Sequence, residues 1–207
     1  MEKIPPKRKR LTREQQKEQT RRRLLKSGSE LFARFGYEGP SVEEIAEHAG
    51  YSRGAFYSNF SNTEELMKAL IAEGFDSDLI AVRQMKDLPD TDALADAYTE
   101  LARSFYNNES NLLWMLEFQL SAIRHGELQE AYVAEHRKLR AEVQELVISH
   151  LEREGHPDPE RYREYADVFL ALLPGLGLFK LLYGDEIDDE LFGRTFRALL
   201  EGMVRGS

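Results

Sequence analysis

The sequence predicts an all-α protein of about nine helices. Leu and Ala supply 46 of the 207 residues, whereas the β-branched residues Val and Ile supply only 14, and this ratio favours helices over strands. Apolar residues recur at three- and four-residue steps along most of the chain, and neither strand alternation nor an internal repeat is evident. A hydrophobic content of 42% is enough for a buried core in one large domain or two small ones.

Composition also narrows the classes of function. The chain contains no Cys, which excludes disulfides, thiolate catalysis and Cys-ligated zinc. Its longest uninterrupted apolar stretch, residues 168–179, has 12 residues. Because a bilayer span needs ~20 residues, this stretch predicts a core helix and no membrane association. The first residues are charged rather than apolar, so we expect no secretory signal and a cytoplasmic location.

The net charge of −9 is unevenly distributed. Residues 1–60 carry 13 Lys and Arg against 8 Asp and Glu, a net of +5, and residues 61–207 carry 15 against 29, a net of −14. Residues 3–26 alone hold 11 basic and 2 acidic residues. A basic N-terminal segment attracts a polyanion that the acidic remainder repels. By itself, this composition fits a solvated tail and an exposed helix face as well as a nucleic-acid contact.

The first helix follows a basic arm. Residues 1–11, with Pro5-Pro6 and a run of four basic residues, are expected to be disordered. A capping box of Thr12 and Gln15 then begins a helix over about residues 13–35, which ends at Gly36. The spacing of its apolar residues predicts one buried face, formed by Leu24, Leu25, Leu31, Phe32 and Phe35.

Two short helices joined by a tight turn are predicted next. Ser41 and Glu44 form a second capping box before a helix whose apolar residues share one face. Gly50 suits the left-handed conformation that stops this helix, and Ser52 caps another only two residues later. This pattern is typical of a helix-turn-helix, whose second helix can enter the major groove of DNA.

From residue 61 onward the chain is compatible with helix throughout. Turn-forming residues separate helices predicted over about 63–85, 92–106, 110–124, 127–153, 159–183 and 188–203.

The helix-turn-helix region resembles the DNA-binding signature of the tetracycline-repressor (TetR) family. The resemblance covers about residues 12–66 and lies in an ordered set of glycine, aromatic and capping residues: Phe32, Gly36-Tyr37, Gly39, Ser41-Val42, Ile45-Ala46, Ala49-Gly50, Ser52, Gly54, Phe56-Tyr57 and Phe60. It implies a DNA-binding domain at residues 12–62 and a larger helical domain for ligand binding and dimerisation at residues 63–207.

Seven residues are the candidates for DNA contact: Ser41, Ser52, Arg53, Gly54, Ala55, Tyr57 and Ser58. The two serines at helix N-termini suit a phosphate, although they fit a purely capping role equally well. Gly54 and Ala55 are small enough to let the helix approach base edges, and Arg53 suits a guanine edge or a phosphate. The resemblance implies phosphate contacts for Tyr57 and Ser58. The spacing of Phe56 and Phe60 predicts core positions instead.

One position departs from the family pattern. The family usually carries a phosphate-binding Lys where this chain has Thr63. Asn62 or Thr63 could serve there as a neutral cap, and the basic arm could supply the lost charge. Each neutralised phosphate contributes about −0.9 to the logarithmic salt dependence of binding, so one missing contact is expected to weaken binding without abolishing it.

The second domain has no motif of its own. Residues 112–120 are apolar nearly all round, which predicts a central helix. One interpretation is an apolar effector pocket with Phe105, Trp114, Met115 and Phe118 as walls and Glu117 or Gln119 as a polar handle. An ordinary core is the equal alternative.

The resemblance also implies a dimer interface of two helices from each subunit. Its candidate residues on the last two helices are Phe169, Leu173, Leu176, Phe192, Phe196 and Leu199. Pro174 is expected to bend the first of these helices, and the adjacent glycines permit close helix approach. The same residues could equally belong to the core of a single subunit.

The sequence therefore predicts a ligand-responsive transcriptional regulator rather than an enzyme. The five His residues form no metal-binding pattern, and no nucleophile, phosphate-loop or dinucleotide motif is present. We expect no cofactor and no metal. The partners expected are a palindromic double-stranded operator, a small effector and a second copy of the chain, with repression as the favoured mode. A helical small-molecule-binding or protein-interaction protein without specific DNA binding is the alternative.

Overall fold

The computed structural model describes residues 12–106, 109–188 and 190–206, and the predicted basic arm lies outside them. These ranges contain nine α-helices and no strand, which confirms the predicted fold class. The helices are α1 (Arg13–Phe35), α2 (Val42–His48), α3 (Arg53–Tyr57), α4 (Thr63–Met85), α5 (Thr91–Tyr106), α6 (Glu109–Arg124), α7 (Gly126–Arg153), α8 (Tyr165–Tyr183) and α9 (Glu190–Arg205).

Local hydrogen bonds set the ends of the first three helices. Thr12 and Gln15 form the predicted capping box, with the Gln15 N–H 3.2 Å from Thr12 Oγ1, and Ser41 and Glu44 form the second. Gly50 adopts a φ of +77°, which is strained for other residues, so the chain turns sharply between α2 and α3. The capping and turn signals in the sequence are therefore realised here.

The helix-turn-helix packs around a small aromatic and aliphatic core. Phe32 of α1, Ile45 of α2 and Phe56 of α3 are fully buried, as is Phe60 in the turn before α4. Phe35 differs from the prediction, because its side chain is 56% exposed. It is the last residue of α1, directly before the turn at Gly36.

The remaining helices form a layered bundle around a cavity. Helix α4 lies along α7, α5 lies along α9, and α6 packs against α1, α7 and α8. Helix α4 also contacts α1, so it joins the DNA-binding region to the bundle.

Helix α8 differs from the prediction in its start and its environment. A 3₁₀ turn at Pro159–Tyr162 precedes it, and α8 itself begins at Tyr165. Tyr162 is buried and lies edge-on to His156 with ring centroids 5.1 Å apart, so tertiary packing decides where this helix starts.

The same helix is not the core helix that its composition predicts. Within the described residues, the stretch Pro159–Glu186 is long and apolar enough to cross a membrane, with a hydropathy of 1.6, yet only 17% of its apolar window is buried. A single such stretch is weak evidence for a membrane span. Several large apolar side chains of α8 face outward, namely Tyr165, Val168, Leu178, Phe179, Leu182 and Tyr183.

Candidate functional site

Helix α3 presents a small, polar and exposed surface. Arg53, Gly54 and Tyr57 are exposed, and the Tyr57 side chain keeps 47% of its surface open. Ala55 is half-buried, while Phe56 points into the core and anchors the helix. The structure thus brings the candidate DNA-binding residues of α3 to one accessible face.

Arg53 is held by two neighbours on this face. Its Nη1 lies 2.6 Å from Glu43 Oε1 on α2, and its Nη2 donates to the Tyr57 hydroxyl at 3.4 Å. The guanidinium also lies 5.4 Å from the centroid of the Tyr57 ring. The Tyr57 hydroxyl and the Glu43 carboxylate raise the pKa of Arg53. Arg53 is therefore oriented on the accessible face by Glu43 and Tyr57.

The three candidate serines all make local hydrogen bonds. Ser41 Oγ accepts from the Glu44 N–H. The Ser41 backbone N–H and hydroxyl both donate to the Glu44 carboxylate, and these two bonds lower the pKa of that carboxylate. Ser52 Oγ accepts from the Ala55 N–H at 3.3 Å, and Ser58 Oγ donates to the Ala55 carbonyl at 2.8 Å. All three serines are exposed, so their capping role leaves them on the accessible surface.

The start of α4 shows what replaces the family lysine. Asn62 is the cap, because its Oδ1 accepts from the Glu65 N–H at 2.8 Å. Thr63 is instead the first residue of α4 and is half-buried. The nearby positive charge belongs to Arg21 of α1, whose guanidinium lies 4.4 Å from the centroid of the Phe60 ring, in the turn before α4. Sequence reasoning did not single out Arg21, although it begins a run of three arginines.

A cavity of about 840 Å³ is lined mainly by helices of the second domain, and residues of α1 complete its wall. Four of the five candidate ligand-binding residues line it: Phe105 from α5 and Trp114, Met115 and Phe118 from α6. Gln119, the second candidate for a polar handle, lines it as well. The volume falls within the ~300–1,000 Å³ typical of small-molecule pockets.

Glu117 does not line this cavity, which corrects its predicted role as a polar handle. Its Oε1 accepts from the Tyr37 N–H at 2.6 Å and from the Ser121 hydroxyl at 3.1 Å. The reason is its position on α6, because it lies on the side of that helix that packs against α1. Glu117 thereby joins the cavity-lining helix to the turn that follows α1.

Other polar groups come to the cavity from α4 and α7. Tyr132 accepts a hydrogen bond at 3.4 Å from Gln119 Nε2, and burial raises the pKa of its hydroxyl. Burial lowers the pKa of His136 and raises that of Asp78 to about 6. All three residues line the cavity. Sequence reasoning did not identify them, because each is an isolated polar residue on an amphipathic helix.

The candidate dimer residues divide into two groups. Phe169, Phe192 and Phe196 are buried within the subunit, where Phe196 stacks on Tyr98 at 4.5 Å and meets Phe169 at 4.6 Å. Packing against α5 therefore places these three in the core, as the alternative interpretation has it. The other three candidates are half-buried: Leu173, Leu176 and Leu199.

Within the described ranges, no cluster of residues suited to a metal ion was found.

Sequence relatives are DNA-binding regulators. The uncharacterized HTH-type transcriptional regulator YvkB of Bacillus subtilis is 24% identical over 178 residues, which cover 81% of this chain and 86% of that protein. The HTH-type transcriptional repressor AcnR of Corynebacterium diphtheriae is 42% identical over 53 residues. That match covers 26% of this chain and only 28% of AcnR.

Solved structures share the fold. The transcriptional regulator FadR from Bacillus subtilis, in complex with stearoyl-CoA, superposes with a TM-score of 0.70 at 16% identity and covers 90% of this chain and 98% of that one. Residues 24–70 match the family described as bacterial regulatory proteins, tetR family, and residues 89–206 match the tetracyclin repressor-like C-terminal domain. These matches confirm the resemblance seen in the sequence, and the chain belongs to the TetR family of DNA-binding transcriptional regulators.

Proposed function

We propose that this regulator is a cytoplasmic homodimeric repressor that binds a palindromic operator and is released by a small, largely apolar effector. Each subunit places residues 52–57 in a major groove, and the two half-sites lie at a fixed separation along the duplex. The observation that carries this proposal is the accessible face of α3, with Arg53 oriented for exchange of its Glu43 partner for DNA.

The charge distribution supports this orientation on DNA. The first 60 residues carry a net +5 and the rest of the chain −14. A duplex polyanion is attracted to the first region and repelled by the second. Arg21 lies beside the turn between α3 and α4, where it offers a cation close to the position of the missing family lysine.

The dimer interface is proposed on the outward face of α8, with α9 beside it. Val168, Phe179 and Leu182 are exposed at spacings that place them along one side of α8. Apolar surface of this extent is stabilised when a second copy covers it. Leu176 on α8 and Leu199 on α9, two of the candidates from the sequence, are half-buried.

Effector binding is proposed to act through α6 and α4. Trp114 lines the cavity and stacks on Phe32 of α1 with ring centroids 6.0 Å apart, and Glu117 binds the Tyr37 N–H. Movement of α6 therefore reaches the helix-turn-helix directly. A shift of α4 then changes the separation of the two α3 helices. The effector alters operator binding only through its difference in affinity between the two states.

Fluorescence anisotropy with labelled DNA from upstream of the gene tests this proposal. We expect salt-dependent binding by the wild type and at least tenfold weaker binding by Arg53→Ala. Arg194→Ala, which removes an exposed arginine on α9, is the matched control and should bind within twofold of the wild type. Absence of binding, or equal loss in both variants, would contradict the assignment of α3 as the DNA-reading helix.

A further inference from the structure

Asp78 is an acid in the wall of an apolar cavity. It lies on α4, one turn after Phe75, and lines the cavity together with that ring. Within the part of the chain that the structure describes, no Lys, Arg or His forms an ion pair with Asp78. A desolvated carboxylate without a partner is costly, and a bound cation would offset that cost.

The other charged groups on the cavity wall do not neutralise Asp78. Arg22 and Lys26 line it from α1, but Arg22 lies 2.7 Å from Glu18, and Lys26 lies 3.7 Å from Glu30. Glu73 contributes a further negative charge. Burial lowers the pKa of His136, which favours its neutral form. No cation of the cavity wall therefore pairs with Asp78, and its carboxylate is available to a positively charged group of a ligand.

Aromatic rings surround the same part of the cavity. The Phe75 and Tyr132 centroids lie 5.2 Å apart, and the Tyr132 ring stacks on His136 at 5.8 Å. Trp114 and Phe118 line the cavity from α6. The faces of aromatic rings attract cations, most strongly where water is excluded. A carboxylate and several aromatic rings around one apolar space form a site suited to a lipophilic cation.

We propose that the effector is a lipophilic cation, an apolar molecule whose ammonium or similar basic group binds Asp78 while its body fills the aromatic cavity. This inference rests on the proposed function and specifies the chemistry of its effector. Anionic amphiphiles, the class to which the stearoyl-CoA bound by the FadR neighbour belongs, would bring like charge against Asp78 and are disfavoured.

Three probes that differ only in the head group test the proposal. Decylamine, decanol and decanoate share one apolar chain, and isothermal titration calorimetry at pH 7.5 below their aggregation limits measures binding to the full-length protein. We expect decylamine to bind at least tenfold tighter than decanol, and decanoate to bind weakest. In Asp78→Asn the preference for decylamine over decanol should fall below threefold, while decanol affinity stays within twofold.

Glu73→Gln is the matched control, because it removes another carboxylate of α4 on the cavity wall, and it should leave at least a fivefold preference for decylamine. Asp78→Asn is nearly isosteric and removes an unpaired charge, so it should fold, and retained decanol binding verifies this. Three outcomes would overturn the proposal. They are tightest binding of decanoate, an unchanged preference for decylamine in Asp78→Asn, and binding of none of the three probes. Operator binding measured on the same preparations separates the two ideas: loss of DNA binding with intact head-group selectivity contradicts the proposed function alone.

Discussion

The helix-turn-helix region and the helical bundle behind it use their residues in opposite ways. In the first, residues close together in sequence form an exposed surface, as Arg53 and Tyr57 do on α3. In the second, Asp78, Trp114 and Tyr132 come from three helices to line one cavity. The first region carries net positive charge and the second net negative charge. The proposed DNA-binding surface is thus formed by residues that are close in sequence, whereas the proposed effector cavity is formed by the packing of distant helices.

Glu117 is where the two regions meet. It sits on the cavity-lining helix α6 and accepts from the Tyr37 N–H at the turn that leads to α2. His125, at the end of α6, also contacts the Tyr37 ring edge-on at 5.2 Å. The two regions therefore differ in construction but share a polar junction, which variants can break separately from either site.

The largest effect is expected from breaking the proposed dimer face. Leu182 is 67% exposed on α8, so Leu182→Asp should leave the fold intact while placing a charge in the interface. Light scattering after gel filtration should show a monomer, and operator affinity should fall by about a hundredfold because two-headed binding is lost.

Ile123→Asp is the control for that variant, since Ile123 is 76% exposed in the last turn of α6 and is not part of the proposed interface. It should remain a dimer with operator affinity within twofold of the wild type. A Leu182→Asp protein that stays dimeric would place the interface elsewhere on the molecule.

The next largest effect is expected at the junction. Glu117→Leu leaves the Tyr37 N–H without its acceptor, which costs about 1–3 kcal/mol. The midpoint of thermal unfolding should fall by about 2–10 °C, and calorimetry measures it. Operator affinity should fall about tenfold.

Glu117→Gln tests whether the hydrogen bond or the charge matters at this junction. Its amide oxygen keeps an acceptor at the same place, so operator affinity should stay within threefold of the wild type. Equal behaviour of the Leu and Gln variants would show that this hydrogen bond does not couple the two regions.

A smaller effect is expected within the DNA-reading surface. Glu43→Gln removes the carboxylate that holds Arg53, so operator affinity should rise by about threefold. The gain should vanish when Glu43→Gln is combined with Arg53→Ala, and anisotropy on all four proteins of this cycle measures it. A gain that persists without Arg53 would mean that Glu43 acts through general repulsion of DNA.

The smallest effect is expected in the pH dependence of stability. Burial raises the pKa of Asp78 to about 6, so its ionised form destabilises the fold above that pH, and this cost disappears as the pH falls towards the unfolded value. Asp78→Asn should therefore unfold a few degrees higher than the wild type at pH 7.5, and the difference should shrink by pH 5. Calorimetry across this range checks the sign, and a constant difference would contradict it.

Sequence alone was a good guide where the signals are local. The bounds of α1 and α4, both capping boxes and the left-handed Gly50 agree with the sequence-based expectations, because each depends on residues within a few positions of one another. The family signature is also a local signal, because its residues lie within one short segment of the chain. The apolar pattern indicated buried positions in the second domain, yet it did not distinguish the wall of a cavity from a filled core. This holds for Phe105, Trp114, Met115 and Phe118.

What the sequence determined by itself is therefore the all-helical fold, the helix-turn-helix and the accessible residues of α3, since backbone capping and side-chain period are properties of short segments. Tertiary structure alone decided that Glu117 joins α6 to α1, that Asp78 faces the cavity, and that α8 exposes its apolar side while Phe192 and Phe196 are buried. These outcomes depend on which faces of distant helices meet, and a helix with apolar residues on more than one side does not specify its own partner.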